Sequence, residues 1–179
     1  MKLKFLMVIL LSSNLFADNI FINHYVFEWG ERNPEIVERY LRSSVNNPIS
    51  SYILGTLYLT GTILKKDLQK ADWYITKAAN MNLPEALNSI GDGYYSGDIR
   101  PQNVDMALNY YERAAKMGFG PAQFNAGVVL LKNYRSKQDL RLSIFYLDKA
   151  SKNRNDLNDI ALVAKRYKLD AEKKLRNYH

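Results

Sequence analysis

Tyr74, Tyr110 and Tyr146 recur at a constant offset of 36 residues, and so do Ala78, Ala114 and Ala150, and Gly55, Gly91 and Gly127. A fixed period of this length marks a stacked repeat protein, in which each unit is one supersecondary element that cannot bury its apolar face alone. The period also bears on function, because such arrays present extended surfaces and most of them bind rather than catalyse.

Each unit reads as two helices. The first is expected over Pro48 to Thr60, Pro84 to Ser96 and Pro121 to Lys132. Proline suits the first helical turn, where its missing N–H costs nothing. Ile53, Leu54, Leu57 and Tyr58 in one copy, and Ala86, Ile90 and Tyr94 in the next, follow helical rather than strand spacing. Gly55, Gly91 and Gly127 fall inside these helices, where glycine costs about 1 kcal/mol relative to alanine. Three repeats of that cost predict close approach of a paired helix that a Cβ would block. Gly61 and Gly97 then stand where the first helix should end, with Asn133 in the third copy. Asp67, Asn103 and Asp139 are expected to cap the second helix, since their side-chain oxygens can accept orphan N–H groups. That helix carries Ala71, Tyr74, Ala78 and Ala79, copied as Ala107, Tyr110, Ala114 and Ala115, then as Ser143, Tyr146, Ala150 and Ser151.

Outside the three copies, Pro34 to Val45 reads as one more helix of the second type, with Ile36, Val37, Tyr40 and Leu41 on a face. Ile20 to Trp29 could cap the open N-terminal end. Leu157 to Asn177 reads as a terminal capping helix with Ile160, Ala161, Ala164, Tyr167, Leu169, Ala171 and Leu175, joined by Asn153 to Asp156. The expected organisation is a leader over 1–17, a cap segment with a half repeat over 18–47, repeats over 48–83, 84–119 and 120–155, and a capping helix over 156–179.

The repeat resembles the Sel-one-like repeat family, relatives of tetratricopeptide repeats with a longer unit. The resemblance rests on Leu54-Gly55-Thr56-Leu57-Tyr58, Asp67, Lys70 to Tyr74 and Lys77-Ala78-Ala79. In the second copy it rests on Gly91, Tyr94, Gly97, Ala107, Tyr110-Tyr111 and Ala114 to Gly118, and in the third on Pro121 to Gly127, Tyr146 and Lys149-Ala150. The family's second turn glycine is replaced here by Ile63, Ile99 and Arg135, and the third copy has Leu130 for the aromatic and Ser143 for the leading alanine. The resemblance implies an all-α fold, a right-handed α-solenoid of antiparallel helix pairs. It also implies a scaffold for protein complexes, with bacterial secreted members serving envelope assembly, polysaccharide export or contact with host cells. A cysteine-rich branch that binds or hydrolyses β-lactams relies on disulfides, and this chain has no cysteine.

The N-terminus reads as a cleaved secretory signal. Lys2 and Lys4 precede the apolar run Phe5 to Leu11, and Ala17 suits the residue before a cleavage site. The run is shorter than the roughly 20 residues that span a bilayer. The expected product is exported, periplasmic or secreted, with no membrane span after cleavage. Loss of the leader lowers the formal net charge of +7 by two. Residues 152–179 hold eight Lys/Arg against four Asp/Glu, so much of the excess lies at the C-terminal end. The simpler reading is the solvated face of a terminal helix, and the sharper one is weak contact with an anionic surface.

No catalytic constellation emerges. The histidines are His24 and His179, no serine is followed three residues later by lysine, and Gly91-Asp92-Gly93 lies mid-helix in phase with the repeat. Asp67, Asp72, Asp92, Asp98 and Asp105 are scattered. Neither an enzyme nor a bound cofactor or metal is expected. The pI of 9.4 and the 13 tyrosines do not argue for nucleic acid, because the tyrosines fall largely in the core phase. The expected function is an exported interaction module, a scaffold or adaptor, that grips a protein or peptide in a groove lined by the first helices. The alternatives are an envelope hydrolase of the β-lactam-related branch and a structural subunit of an envelope or export complex. The groove positions vary between copies while the core stays fixed: Tyr52, Asn88 and Phe124; Thr56, Asp92 and Val128; Leu59, Tyr95 and Leu131. Spaced four and three apart, they form one stripe on each helix. Tyr95, Val128 and Leu131 would supply apolar and aromatic anchors, while Tyr52 and Phe124 read equally well as half-buried packing residues.

Overall fold

A computed structural model describes residues 32–43, 45–153 and 160–178. The expected leader, the Ile20 to Trp29 segment, most of the connector before the last helix and both histidines lie outside the described residues. The described residues form helices α1 (Pro34–Ser43), α2 (Pro48–Thr60), α3 (Leu68–Asn80), α4 (Pro84–Ser96), α5 (Val104–Lys116), α6 (Gly120–Lys132), α7 (Lys137–Lys152) and α8 (Ile160–Arg176). They fall into two compact units, one ending at Met81 and the other beginning at Asn82.

In the first unit α2 and α3 form a pair. Gly55 meets Ile75 and Ala71, and Tyr58, one turn further along α2, stacks on Tyr74 at 5.9 Å. The Asp67 N–H reaches the Tyr58 carbonyl, so the end of α2 meets the start of α3, while Gly55 further back meets Ile75 further on, which makes the pair antiparallel. Val37 and Leu41 of α1 close the core over Leu54, Tyr58, Leu64, Ala71 and Tyr74. Ile36, expected on that face, is 38% exposed. In the second unit α4 pairs with α5 and α6 with α7 in the same way, and α8 packs on α7 and α6.

The interior glycines confirm the close approach that their positions predict. A Cβ on Gly55 would lie 2.5 Å from Ile75 Cγ1, one on Gly91 2.6 Å from the Tyr111 ring, and one on Gly127 2.6 Å from Leu147 Cγ. The partner comes 20 residues later in every copy, so each repeat seats one large side chain on a missing one.

The first two repeats share their turns. Gly61 (φ 72°) and Gly97 (φ 84°) end the first helix in the left-handed region. The next cap residue then donates its backbone N–H back across the turn, Asp67 to the Tyr58 carbonyl at 3.0 Å and Asn103 to the Tyr94 carbonyl at 2.9 Å. Asp67 and Asn103 also cap α3 and α5 through their side chains, as expected. Ile63, at a turn-glycine position, packs against the apolar core instead.

The third copy departs from expectation at three points. Asn133 has φ −119°, not a left-handed cap; its side-chain amide instead donates to the Val129 carbonyl at 2.9 Å. Asp139 is not the cap of α7. Ser136 is, three residues earlier, and Asp139 completes a capping box by accepting from the Ser136 N–H at 2.9 Å. The reason is chemical: serine with an acid three residues on satisfies two orphan donors reciprocally, whereas aspartate alone satisfies fewer. Third, α6 begins at Gly120, so Pro121 sits one residue deeper in the first turn than Pro48 and Pro84 do. Ser143, in place of the alanine at 71 and 107, is fully buried and donates to the Gly127 carbonyl at 2.7 Å. A buried hydroxyl needs such a partner, and the glycine that lets the helices close supplies it.

Candidate binding surface

The first helices of the repeats, α2, α4 and α6, carry the expected stripe, and the three copies differ in what they offer. On α2, Tyr52, Thr56 and Leu59 are all half-buried. The Thr56 hydroxyl donates to the Tyr52 carbonyl at 3.0 Å, and Leu59 packs on the core of its unit. The helix has no charged residue.

On α6 the stripe is covered from within the second unit. The Phe124 ring meets Tyr167 of α8 edge-on at 5.7 Å, and Val128 packs beside Leu147, Ala150 and Ala164. Leu131 is 2% exposed in a cluster with Leu140 and Ala171. Leu131 is thus a core residue of the α6–α8 packing and offers no free anchor. The small residues Ala164 and Ala171 allow this approach, which explains their burial in an otherwise charged helix. Leu169, expected on the apolar face of α8, is 64% exposed. Lys168 is tied to Asp148 of α7 at 2.6 Å and approaches Glu172 at 3.8 Å. The two lysines beside Asp148, Lys152 and Lys168, hold its carboxyl below the ordinary carboxylate range.

On α4 the stripe is polar and organised. Asn88 is buried, Tyr95 half-buried and Asp92 exposed. The Asp92 carboxylate accepts the Tyr111 hydroxyl at 2.7 Å and the Asn125 amide at 3.3 Å on Oδ1, and the Asn88 amide at 3.0 Å on Oδ2. Asn125 also donates to Asn88 Oδ1 at 3.1 Å. Four residues from α4, α5 and α6 thus form one hydrogen-bonded group. Asp92 is exposed by area, yet protein packed around its carboxyl raises the pKa, and the Tyr111 hydrogen bond acts in the opposite sense. Three donors surround the carboxylate, two on Oδ1 and one on Oδ2, while the residue as a whole stays exposed. Burial, and then the Asp92 charge, push the Tyr111 hydroxyl well above the ordinary phenol range, so it remains a donor at any physiological pH.

Tyr111 and Asn125 are the members that sequence reasoning missed. The repeat phase singles out Tyr110, which stacks on Tyr94 at 5.8 Å. Its neighbour Tyr111 occupies the column of Ile75 and Leu147, the residues seated on the interior glycines. A tyrosine in an aliphatic core column carries a hydroxyl that needs a partner, and that was the available signal. Asn125 shares a column with Ile53 and Ser89 and carried no comparable signal.

The comparisons with known proteins agree with this geometry. The Sel1 repeat family model matches residues 48–83, 84–119 and 120–155, which is more than half of the chain. The chain belongs to the Sel1 repeat family. Among solved structures, a Sel1 repeat protein from Oxalobacter formigenes is 23% identical with a TM-score of 0.57, covering 82% of this chain and 99% of that one. The protein c5321, a protective antigen of uropathogenic Escherichia coli strains, is 22% identical with a TM-score of 0.63, covering 79% of this chain and 33% of that one. These likenesses show the fold. Chitin synthase regulatory factor 3 of Schizosaccharomyces pombe is 32% identical over 95 residues, 52% of this chain. The chain spans only 10% of that relative's length. Sel1 repeats are generally protein–protein interaction modules. No described helix is long and apolar enough to cross a membrane.

Proposed function

We propose that this Sel1 repeat chain is an exported interaction module that holds a protein or an extended peptide against α4, the first helix of its second repeat. The observation that carries the reading is the α4 face. Asn88, Asp92 and Asn125 are fixed by mutual hydrogen bonds beside Tyr95, and the donors and acceptors are oriented before any partner arrives. Preorganised polar groups next to an aromatic side chain bind with less ordering cost than mobile ones. Export rests on Lys2 and Lys4, the apolar run from Phe5 to Leu11, and Ala17.

The test is a cross-linking pull-down from cell envelopes with wild type, Tyr95→Lys, and Trp73→Lys as a control. Trp73 is 57% exposed on α3, off the proposed stripe. The expected result is a partner retained by the control and lost by Tyr95→Lys. Equal capture by all three would move the contact off α4. N-terminal sequencing of the secreted or periplasmic protein checks export, with Asp18 expected as the first residue.

A further inference from the structure

Helices α2, α4 and α6 contain three charged residues: Glu85, Asp92 and Lys132. Glu85 lies in the first turn of α4 and Lys132 in the last turn of α6, where each complements the helix dipole. Asp92 alone sits mid-helix, and no such rule accounts for it.

Its surroundings do not neutralise it. The three groups that hold the carboxylate, Tyr111, Asn88 and Asn125, are neutral donors, and no lysine or arginine pairs with Asp92 among the described residues. A carboxylate offers about four acceptor positions. Two donors occupy Oδ1 and one occupies Oδ2, so Oδ2 keeps a free position. Elsewhere the chain places cations over tyrosine rings: Lys70 over Tyr58 at 4.9 Å, Arg100 over Tyr94 at 5.2 Å and Arg113 over Tyr110 at 5.3 Å. Tyr95, three residues beyond Asp92 and so on the same helix face, carries no cation among the described residues.

We infer that Asp92 and Tyr95 form a subsite for a basic side chain of the bound partner. An extended segment lying along α4 presents a lysine or arginine, whose charged head takes the free position on Asp92 Oδ2. Its aliphatic stem lies against Tyr95. Asn88, Asn125 and Tyr111 are positioning residues that fix the carboxylate. This rests on the reading of α4 as a binding surface and names the partner chemistry that the surface selects. Charge complementarity decides the occupant, because a carboxylate with no cationic partner beside an aromatic ring favours a cation and repels an acidic segment.

The experiment pans a library of random 12-residue peptides against the purified full chain and then measures enriched synthetic peptides by fluorescence anisotropy. The enriched set is expected to share one Lys or Arg position. Replacing that residue by norleucine should weaken binding to wild type about tenfold or more. It should change binding by less than about twofold with Asp92→Asn or Asp92→Thr, since the two changes remove one interaction. Asp92→Thr places on α4 the residue that Thr56 already provides on α2, which guards against a variant that merely fails to fold. Peptides lost by Tyr95→Lys but lacking a basic position would overturn the Asp92 subsite and leave the surface reading standing. The same holds if norleucine weakens wild type and the Asp92 variants equally. An empty panning, or peptides indifferent to Tyr95→Lys, would overturn both.

Discussion

Two glycines on one helix should respond to the same substitution with opposite signs. A Cβ on Gly91 would lie 2.6 and 2.7 Å from Cε1 and Cδ1 of Tyr111, nearly 1 Å inside ordinary van der Waals contact. The ring cannot easily retreat: it is 2% exposed, and its hydroxyl is held by Asp92 at 2.7 Å. Overpacking of this kind costs about 1–3 kcal/mol, and the upper half applies to a pinned ring. Against this, alanine gains about 1 kcal/mol over glycine in a helix interior. Gly91→Ala should therefore destabilise by about 1–2 kcal/mol. The nearest atom to a Cβ on Gly93 is Arg100 Cδ at 3.8 Å, an ordinary contact. Gly93→Ala keeps the helix gain without a clash and should stabilise by up to about 1 kcal/mol. For a chain of this length the two variants should differ in Tm by roughly 5–10 °C. Urea and thermal unfolding followed by circular dichroism measure both, and Tyr111→Ala should relieve most of the Gly91→Ala penalty in a double-mutant cycle. If Gly91→Ala proves as stable as wild type, α4 and α5 do not approach as described, and the explanation of all three interior glycines falls.

Ser136→Ala removes the hydroxyl of the α7 capping box and should cost about 1 kcal/mol in urea unfolding; no loss would return the cap to Asp139. Tyr111→Phe deletes the hydrogen bond that lowers the Asp92 pKa, so the Asp92 carboxyl should titrate at still higher pH when followed by carbon NMR, and a downward move would contradict the geometry. Asp148 has a lowered folded pKa, so its contribution is present above the ordinary carboxylate pKa and is lost as pH falls through the folded value. Stability curves of wild type and Asp148→Asn should therefore differ at neutral pH and converge below about pH 4, as read from urea midpoints across the acid range. Parallel curves would show that Asp148 and Lys168 do not fasten α8.

Much of the fold was legible in the order of residues, because a repeat writes each local rule three times. The 36-residue period, the proline starts, the glycine and Asx caps and the glycine-for-close-approach argument depend on short-range geometry. The structure shows them where the sequence placed them in the first two copies. The third copy resisted because its rules were rewritten. Ser136 competes with Asp139 for the cap, Asn133 caps through its side chain, and Ser143 has to find an acceptor that only the neighbouring helix supplies.

The candidate surface was legible in part. Periodicity alone put Tyr52 on one stripe of α2, and Asn88, Asp92 and Tyr95 on one stripe of α4, where Asp92 is exposed, Tyr95 half-buried and Asn88 buried. It could not show that α8 would cover Phe124, Val128 and Leu131, because that depends on Ala164, Ala171 and Tyr167 arriving from 30 to 45 residues downstream. Nor could it join Asn88, Asp92, Tyr111 and Asn125, which stand on three helices and meet only when those helices pack. By itself the sequence determined the helices, their pairing and, in the first two repeats, their ends, since i to i+4 spacing and local caps act within one repeat. Tertiary structure decided that α8 covers the α6 stripe and how the Asp92 carboxylate is held, since both arise from side chains distant in sequence meeting in the same space.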